Sequence, residues 1–475
     1  MPQIVLIAWP LVSILIYLGL GPARGLIWSV VLGYLFLPEF STNLPGLPGY
    51  GKLEAISLGA ILGTVLTMSR AGPRPKKDML SHRVFLALLA LMFLSPFVTV
   101  MYNMEPLFFG PTLVKPLEWW DVQNISLPLL TAIVPWLLAR RYLHSPEHHR
   151  EILKAMILAG LFYSLFVLFE LRMSPQINNM VYGFFPHSWT QHLRGGGYRP
   201  LVFLRHGLWL GFFLMTVVLA AAAMTRAKGD MRAFYLLSMT WMLLVLLGSR
   251  TLGAAALGLL LLPFALFAAP RIQMRVAMIL AVLFLANPML RDSYMQPTLE
   301  LAEKVSIHRA NSLRTRFDNE TALLDRAALR PVIGWGNSSR WRVFDERGRD
   351  VTLSDGTWII ILAQRGWLGF VSFFGLLLVP VLLLRRALKS RPLSNETSVL
   401  ALMVGANLVY LIPNSALSPI GWLVAGALAG FVQFAPSAKT APDEAEDTDQ
   451  TTPARMRPAY TRFGPGAAPG TVTRR

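Results

Sequence analysis

The chain has 475 residues, 54% of them hydrophobic and only 15% charged, with a mean hydropathy of +0.49, values that exclude an ordinary water-soluble domain. Cysteine is absent, which excludes disulfides and thiolate metal sites. The formal net charge of +18 would suit a nucleic-acid binder, but Lys and Arg sit mostly in short loops between apolar runs. That pattern orients membrane helices, so no nucleic-acid partner is expected.

A bilayer core of roughly 30 Å calls for about 20 apolar residues per helix. Apolar runs bounded by charge or by Gly and Pro clusters fall at 3–20, 25–38, 53–68, 84–102, 125–139, 152–171, 201–224, 233–248, 251–269, 275–290, 357–384, 397–412 and 417–434. The expected fold is all-α, a polytopic membrane protein of about 12–13 transmembrane helices with a long periplasmic loop. The second and third runs are short, and a half-buried or tilted placement would change the count. Ile4 to Leu20 lacks a basic n-region and a small-residue cleavage site, so it reads as a retained helix.

Basic residues cluster in alternate loops: Arg70, Arg74, Lys76, Lys77 and Arg83; Arg140, Arg141 and Arg150; Arg226, Lys228 and Arg232; Arg271 and Arg275; Arg385, Arg386, Lys389 and Arg391. By the positive-inside rule these face the cytoplasm. The intervening loops carry aromatics such as Trp119, Trp120, Tyr182, Phe184 and Phe185 and belong at the outer interface. Four regions follow: N-terminal membrane helices over 1–291, a periplasmic loop over 292–356, C-terminal membrane helices over 357–434, and a tail over 435–475. The tail, with its acidic run Asp443 to Asp449, reads as a disordered cytoplasmic extension. No internal repeat of the kind that marks many secondary transporters is visible.

The loop 292–356 carries ten Lys or Arg against ten Asp or Glu from Asp292 to Asp355, so it is not a cationic patch. Its segment 311–331 sets Leu313, Phe317, Leu324, Ala327 and Ala328 at helical spacing, and Pro331 ends it. An amphipathic helix is expected there, lying on the bundle or at the interface. Gly334, Trp335 and Gly336 follow as a tight turn, with Trp335 suited to anchor at headgroup depth. Arg316 is either an i,i+4 partner of Glu320 on a solvated face or a functional cation. Asp355 is either the N-cap of the next helix, with Ser354 as the alternative cap, or a functional carboxylate.

Three further sites stand out. Arg199 precedes, and Arg205 with His206 falls inside, the outer end of the run 201–224. Ionisable residues within a span usually face a polar cavity, although Arg199 and Arg205 are also suited to snorkel toward lipid headgroups. Arg250 lies in a hairpin between two spans, where an interfacial anchor is the simpler reading. Arg365 in Gln364-Arg365-Gly366-Trp367 lies at membrane depth unless the helix breaks there, while Gly366 and Gly369 permit close helix packing.

Several outer Arg residues, an Arg-bearing helix ending in Pro-x-x-Gly-Trp-Gly, and a polar residue heading a helix with a Gly-Trp-Leu-Gly step together resemble the O-antigen ligase and polymerase superfamily. The matching stretches are Arg199 to Gly211, Gly248 to Gly253, Ser312 to Gly336 and Ser354 to Gly369. The resemblance implies transfer of a glycan from an undecaprenyl-diphosphate carrier to an acceptor hydroxyl at the outer face of a bacterial inner membrane, with no cofactor and no metal ion. Guanidinium forks would bind the departing diphosphate bidentately and stay charged throughout. By position Arg316 resembles the family's loop-helix Arg, Arg199 or Arg205 the Arg before the central span, and Arg250 an auxiliary contact.

Ligases of this family place a His at the start of the helix after the loop; here Asp355 stands there. A carboxylate can abstract the same proton, which makes Asp355 the candidate base, with His206 and, more weakly, His308 as alternatives. The substitution favours a polymerase joining surface-polysaccharide or exopolysaccharide repeat units over a ligase. The implied partners are the lipid-linked glycan donor, a glycan acceptor, membrane lipids and a chain-length regulator. A transporter of polysaccharide or lipid-linked sugar is the main rival reading, and a non-catalytic scaffold in an envelope assembly complex is the third.

Overall fold

The computed structural model describes residues 1–434 apart from 45–46, 71–77, 195, 227–229, 338, 354 and 389–390. The tail over 435–475, Ser354 and the side chain of His308 lie outside the described residues. Fourteen helices make up the described chain: α1 (Pro2–Phe36), α2 (Lys52–Thr67), α3 (Met79–Met101), α4 (Trp119–Tyr142), α5 (Pro146–Met173), α6 (Ile177–Tyr182), α7 (Gly207–Met224), α8 (Arg232–Gly248), α9 (Leu252–Phe267), α10 (Pro270–Val305), α11 (Ile307–Ala328), α12 (Thr357–Ala387), α13 (Asn395–Tyr410) and α14 (Pro419–Gln433). The described β-structure is confined to three two-stranded hairpins and one isolated bridge.

Eight helices are long and apolar enough to cross a bilayer. Large apolar side chains such as Leu11, Leu15, Phe267 and Met289 point out of the bundle, as lipid-facing residues must and as a water-soluble surface rarely allows. The protein is therefore an all-α polytopic membrane protein. At its centre stands α7, buried along nearly its whole length together with α13 and α14; its Ala220 to Ala223 run presents small side chains to close neighbours.

The first apolar pair forms a hairpin within α1. Gly21 has φ 77° and ψ 177°, a conformation essentially restricted to glycine, and Pro22 follows it. The two arms fold back, so that a Cβ on Gly33 would meet Trp9 at 3.1 Å and one on Gly25 would meet Tyr17 at 2.7 Å. The third run, α2, packs on both arms: Gly59 sits on Ser13 and Ile56 on Gly33. These short runs are full members of the bundle.

Contacts between loops define two ends. At one end Arg386 pairs with Asp78, Arg150 with Glu396, Asn395 donates to Ala223 O, and Arg226 donates to Ala268 O, which gathers the basic loops. The segment 292–356 lies at the opposite end. Two boundaries differ from expectation there. Residues 292–305 continue α10 as helix instead of opening a loop, because a polar helical turn carries no hydropathy signal. The run 201–224 becomes helical only at Gly207, because Leu201 and Val202 turn their backbone N–H groups onto the Glu170 carboxylate, both at 2.8 Å.

Candidate functional site

The loop-bearing end is organised around a broken helix. At Gly366, with φ 59° and ψ −166°, α12 leaves helical geometry, which frees carbonyls and amides on either side. The segment Pro331–Gly336 takes up all four groups. Trp335 N donates to Ala363 O (2.9 Å), Gly336 N to Gln364 O (2.7 Å), Trp367 N to Pro331 O (2.7 Å) and Leu368 N to Val332 O (3.1 Å). Non-helical backbone at membrane depth is tolerated only with such internal pairing. The glycines are required by contact as well as by φ: a Cβ on Gly334 would lie 2.3 Å from Arg365 N, and one on Gly366 2.4 Å from Val332 O. The Gly-Trp-Gly turn and the Gln-Arg-Gly-Trp step, separated by 27 residues between Gly336 and Gln364, are thus two halves of one interlock.

Trp335 is buried, donates Nε1–H to Arg326 O (2.7 Å), and lies under the guanidiniums of Arg326 (3.5 Å to the ring centroid) and Arg330 (4.5 Å), two cation–π contacts. Burial and the neighbouring Arg340 and Arg330 push Arg326 down to about 10, which leaves it charged at neutral pH. The fully buried Arg340 donates to Glu105 O, Lys115 O and Glu105 Oε1, and Phe344 stacks on Phe109 at 4.6 Å. The loop between α3 and α4 is thereby stapled over the 330–350 segment as a cap.

On α11 the buried apolar residues are Ala310, Phe317, Leu323 and Ala327; Ala328, expected to share that face, is exposed. Glu320 belongs to Arg291, whose buried guanidinium donates to its Oε2 at 3.2 Å, to Asp292, to Thr321 and to Phe317 O. Burial pushes the Glu320 carboxyl above its usual range against the pull of Arg291. This overturns the i,i+4 pairing of Arg316 with Glu320. Arg316 instead places Nε 3.2 Å from Asp355 Oδ2, the two side chains being 42% and 52% exposed, and its Nη1 lies 3.5 Å from Pro413 O. Asp355 is not the cap of α12: the N-cap is Gly356, with no side-chain capping bond. Its carboxylate is directed to Arg316, and its carbonyl accepts from Ser415 Oγ at 2.6 Å.

The second cluster precedes α7. His206 is the N-cap of α7, its Nδ1 accepting from Leu208 N at 3.1 Å. Arg205 is exposed and lies outside the helix, contrary to the reading of an ionisable residue within a span, and it makes no hydrogen bond or ion pair among the described residues. Arg199 lies along Gly207 and donates through Nη2 to Arg250 O at 3.3 Å, so it points into the protein and not to lipid. Arg250 has φ 58° and packs its guanidinium flat on Gly197, where a Cβ would come within 2.3 Å. Val202, β-branched, also holds a positive φ of 55°, a costly conformation held by its bond to Glu170.

The outer end of α13 joins the clusters. Tyr410 Oη donates to Leu208 O at 3.0 Å, while Pro413 O faces Arg316 and Ser415 holds Asp355. Positions 410 and 413 are at most roughly 10 Å apart along the chain. The outer end of α13 therefore touches both groups, that of Arg199, Arg250 and His206 through Leu208 and the Arg316–Asp355 pair through Pro413 and Ser415, with Gly334, Trp335 and Gly336 bracing α12.

Three polar residues here were missed or underweighted in sequence. Glu170 is a lone acid in an apolar run, and that was its only signal. Arg291 closes the α10 span at the edge of the polar segment. Arg365 is buried over Gly369, with no hydrogen bond or ion pair among the described residues. No family model matches this chain, and no curated protein matches it.

Proposed function

We propose that this membrane protein transfers a glycan from an undecaprenyl-diphosphate-linked oligosaccharide to an acceptor hydroxyl at the periplasmic face of a bacterial inner membrane. The most specific form of the reading is the joining of polysaccharide repeat units. The observation that carries it is the half-exposed Arg316–Asp355 pair, set on a shared segment with Arg199, Arg250 and His206. An ion pair this exposed contributes only about 0–1 kcal/mol to stability, so it is poorly explained as a structural device and well explained as a poised cation and base.

In this reading Arg316, with Arg199 or the exposed Arg205, binds the diphosphate oxygens, and the guanidinium charge stabilises the negative charge that develops as the glycosidic C–O bond breaks. The acceptor hydroxyl attacks the anomeric carbon and loses its proton to Asp355, once the diphosphate has drawn Arg316 away from it; His206, the alternative acceptor of that proton, would first have to give up the bond its Nδ1 accepts from Leu208 N. Arg365 supports an anionic ligand, since a buried guanidinium lacking a counter-charge is costly. An apolar groove between α3 and α4, lined by Phe93, Phe97, Trp119 and Leu130, opens beside the interlock and suits a polyprenyl tail. Thr99, two residues beyond Phe97, donates to Ile333 O at 2.7 Å.

The test is to incubate the purified protein in vesicles with undecaprenyl-diphosphate-linked repeat units. Free lipid diphosphate and lengthened glycan are expected; intact donor moved across the bilayer would indicate a transporter instead. Removal of the protein from cells separates polymerase from ligase, since single repeat units accumulate on the carrier in the first case and completed polymer in the second.

A further inference from the structure

The segment leading into α7 brings together three imidazoles. His187, His192 and His206 each offer a ring nitrogen, and these nitrogens all lie within 4.8 Å of one another. The ring centroids are 4.9 Å apart for His187–His206 and for His192–His206, and 5.9 Å for His187–His192. His192 and His206 are buried and His187 is half-buried. Each is held differently. His192 Nδ1 lies 3.1 Å from Arg199 O, and a carbonyl only accepts, so Nδ1 carries the proton and Nε2 presents its lone pair. His206 is fixed by its place at the head of α7, and the Nδ1 of His187 is buried without a hydrogen-bond partner.

We propose that His187, His192 and His206 form a binding site for a divalent transition-metal ion of the zinc type. Three neutral imidazoles are borderline-soft nitrogen ligands that suit zinc, copper, nickel and cobalt and not magnesium or calcium. A ring whose second nitrogen is held by a backbone carbonyl, as in His192, is the usual second shell of a metal-bound histidine. Tetrahedral zinc at about 2.0–2.1 Å from each nitrogen sets ligand atoms roughly 3.4 Å apart. Closure from the present spacing therefore needs side-chain movements on the order of 1 Å. His206 must exchange its capping bond from Leu208 for the metal bond, a small loss beside a metal–nitrogen bond. Three protein ligands leave a fourth position for water or another donor.

Such an ion would tie the 183–206 segment to the head of the central helix and, through His192, fix the backbone of Arg199. The proposal does not depend on the glycan-transfer reading, because metal occupancy is measured with no donor or acceptor present. The test uses the full chain, purified in detergent with any affinity tag removed and stripped with chelator. Titration with Zn²⁺ against a competing dye and with Co²⁺ followed by visible absorption is expected to give one ion per chain, with the intense d–d bands of four- or five-coordinate cobalt. H187A, H192A and H206A should each weaken binding by at least ~100-fold, since even second-shell changes commonly cost 10–100-fold. H148A, at the opposite end of the bundle, should leave binding unchanged. Should the variants fail to fold, pulsed EPR on the copper-loaded wild-type protein counts coordinated imidazoles. Several equivalent imidazoles support the site; one or none, less than a tenth of an ion per chain, or affinity unchanged in the variants would overturn it.

Discussion

Substituting Gly334 by Ala attacks the interlock at its tightest point. Its φ of +68° costs a non-glycine residue about 1–2 kcal/mol, and the new methyl carbon would sit 2.3 Å from Arg365 N, a contact that backbone on both sides can relieve only by separating. Separation breaks the four hydrogen bonds between Pro331–Gly336 and α12, each contributing about 0.5–1.5 kcal/mol, and at membrane depth leaves the groups unsatisfied. The total is roughly 3–8 kcal/mol, comparable to the whole stability of an ordinary domain. G334A and G366A should therefore lower the midpoint of thermal unfolding by roughly 3–15 °C, at about 1–2 °C per kcal/mol for a chain of this length, followed by tryptophan fluorescence in detergent, and should expose the 330–350 segment to protease. G19A, where a Cβ meets nothing within 4 Å, should behave as wild type. Wild-type melting and protection in G334A would refute the assignment of these glycines to the interlock.

Other outcomes follow from the same contacts. R316A and D355N should change the melting temperature by no more than the ~1 kcal/mol of an exposed pair while abolishing glycan transfer; a large loss of stability in either would make the pair structural. R340M strands the carbonyls of Glu105 and Lys115 at about 1–3 kcal/mol each, so hydrogen exchange in residues 102–118 should accelerate. The raised Glu320 carboxyl contributes stability below its unfolded-state range and loses it as pH rises through its folded value. The stability of wild type relative to E320Q, measured by melting across a pH series, should therefore fall with rising pH; a rise would show that Arg291 outweighs burial.

Hydropathy located the helices because apolar length is the dominant requirement for crossing a bilayer, and even the short runs 25–38 and 53–68 proved to be helices packed through Gly33 and Gly59. It could not see that 292–305 continues α10, since a polar helical turn and a polar loop look alike in hydropathy. The burial of Trp335 was not legible because it depends on Arg326 and Arg330 folding over it, which spacing alone does not encode. The break at Arg365 was legible as a conditional, an Arg too deep for an unbroken helix, whereas its partner segment Pro331–Gly336 could be found only in three dimensions. Asp355 and Arg316 were legible as residues but not as a pair, because the rival partner Glu320 was claimed by Arg291 from another helix.

The most direct measurement is the rate at which purified protein releases undecaprenyl diphosphate from its glycan-loaded form, compared between wild type and R316K. Lysine keeps the charge but loses the bidentate fork, and a charge-assisted hydrogen bond of about 1.5–3 kcal/mol corresponds to a rate loss of roughly 10–150-fold. A loss in that range by R316K, and a greater one by R316A, is expected with protein levels and melting unchanged. Wild-type release by both variants would contradict the assignment of this site to the diphosphate.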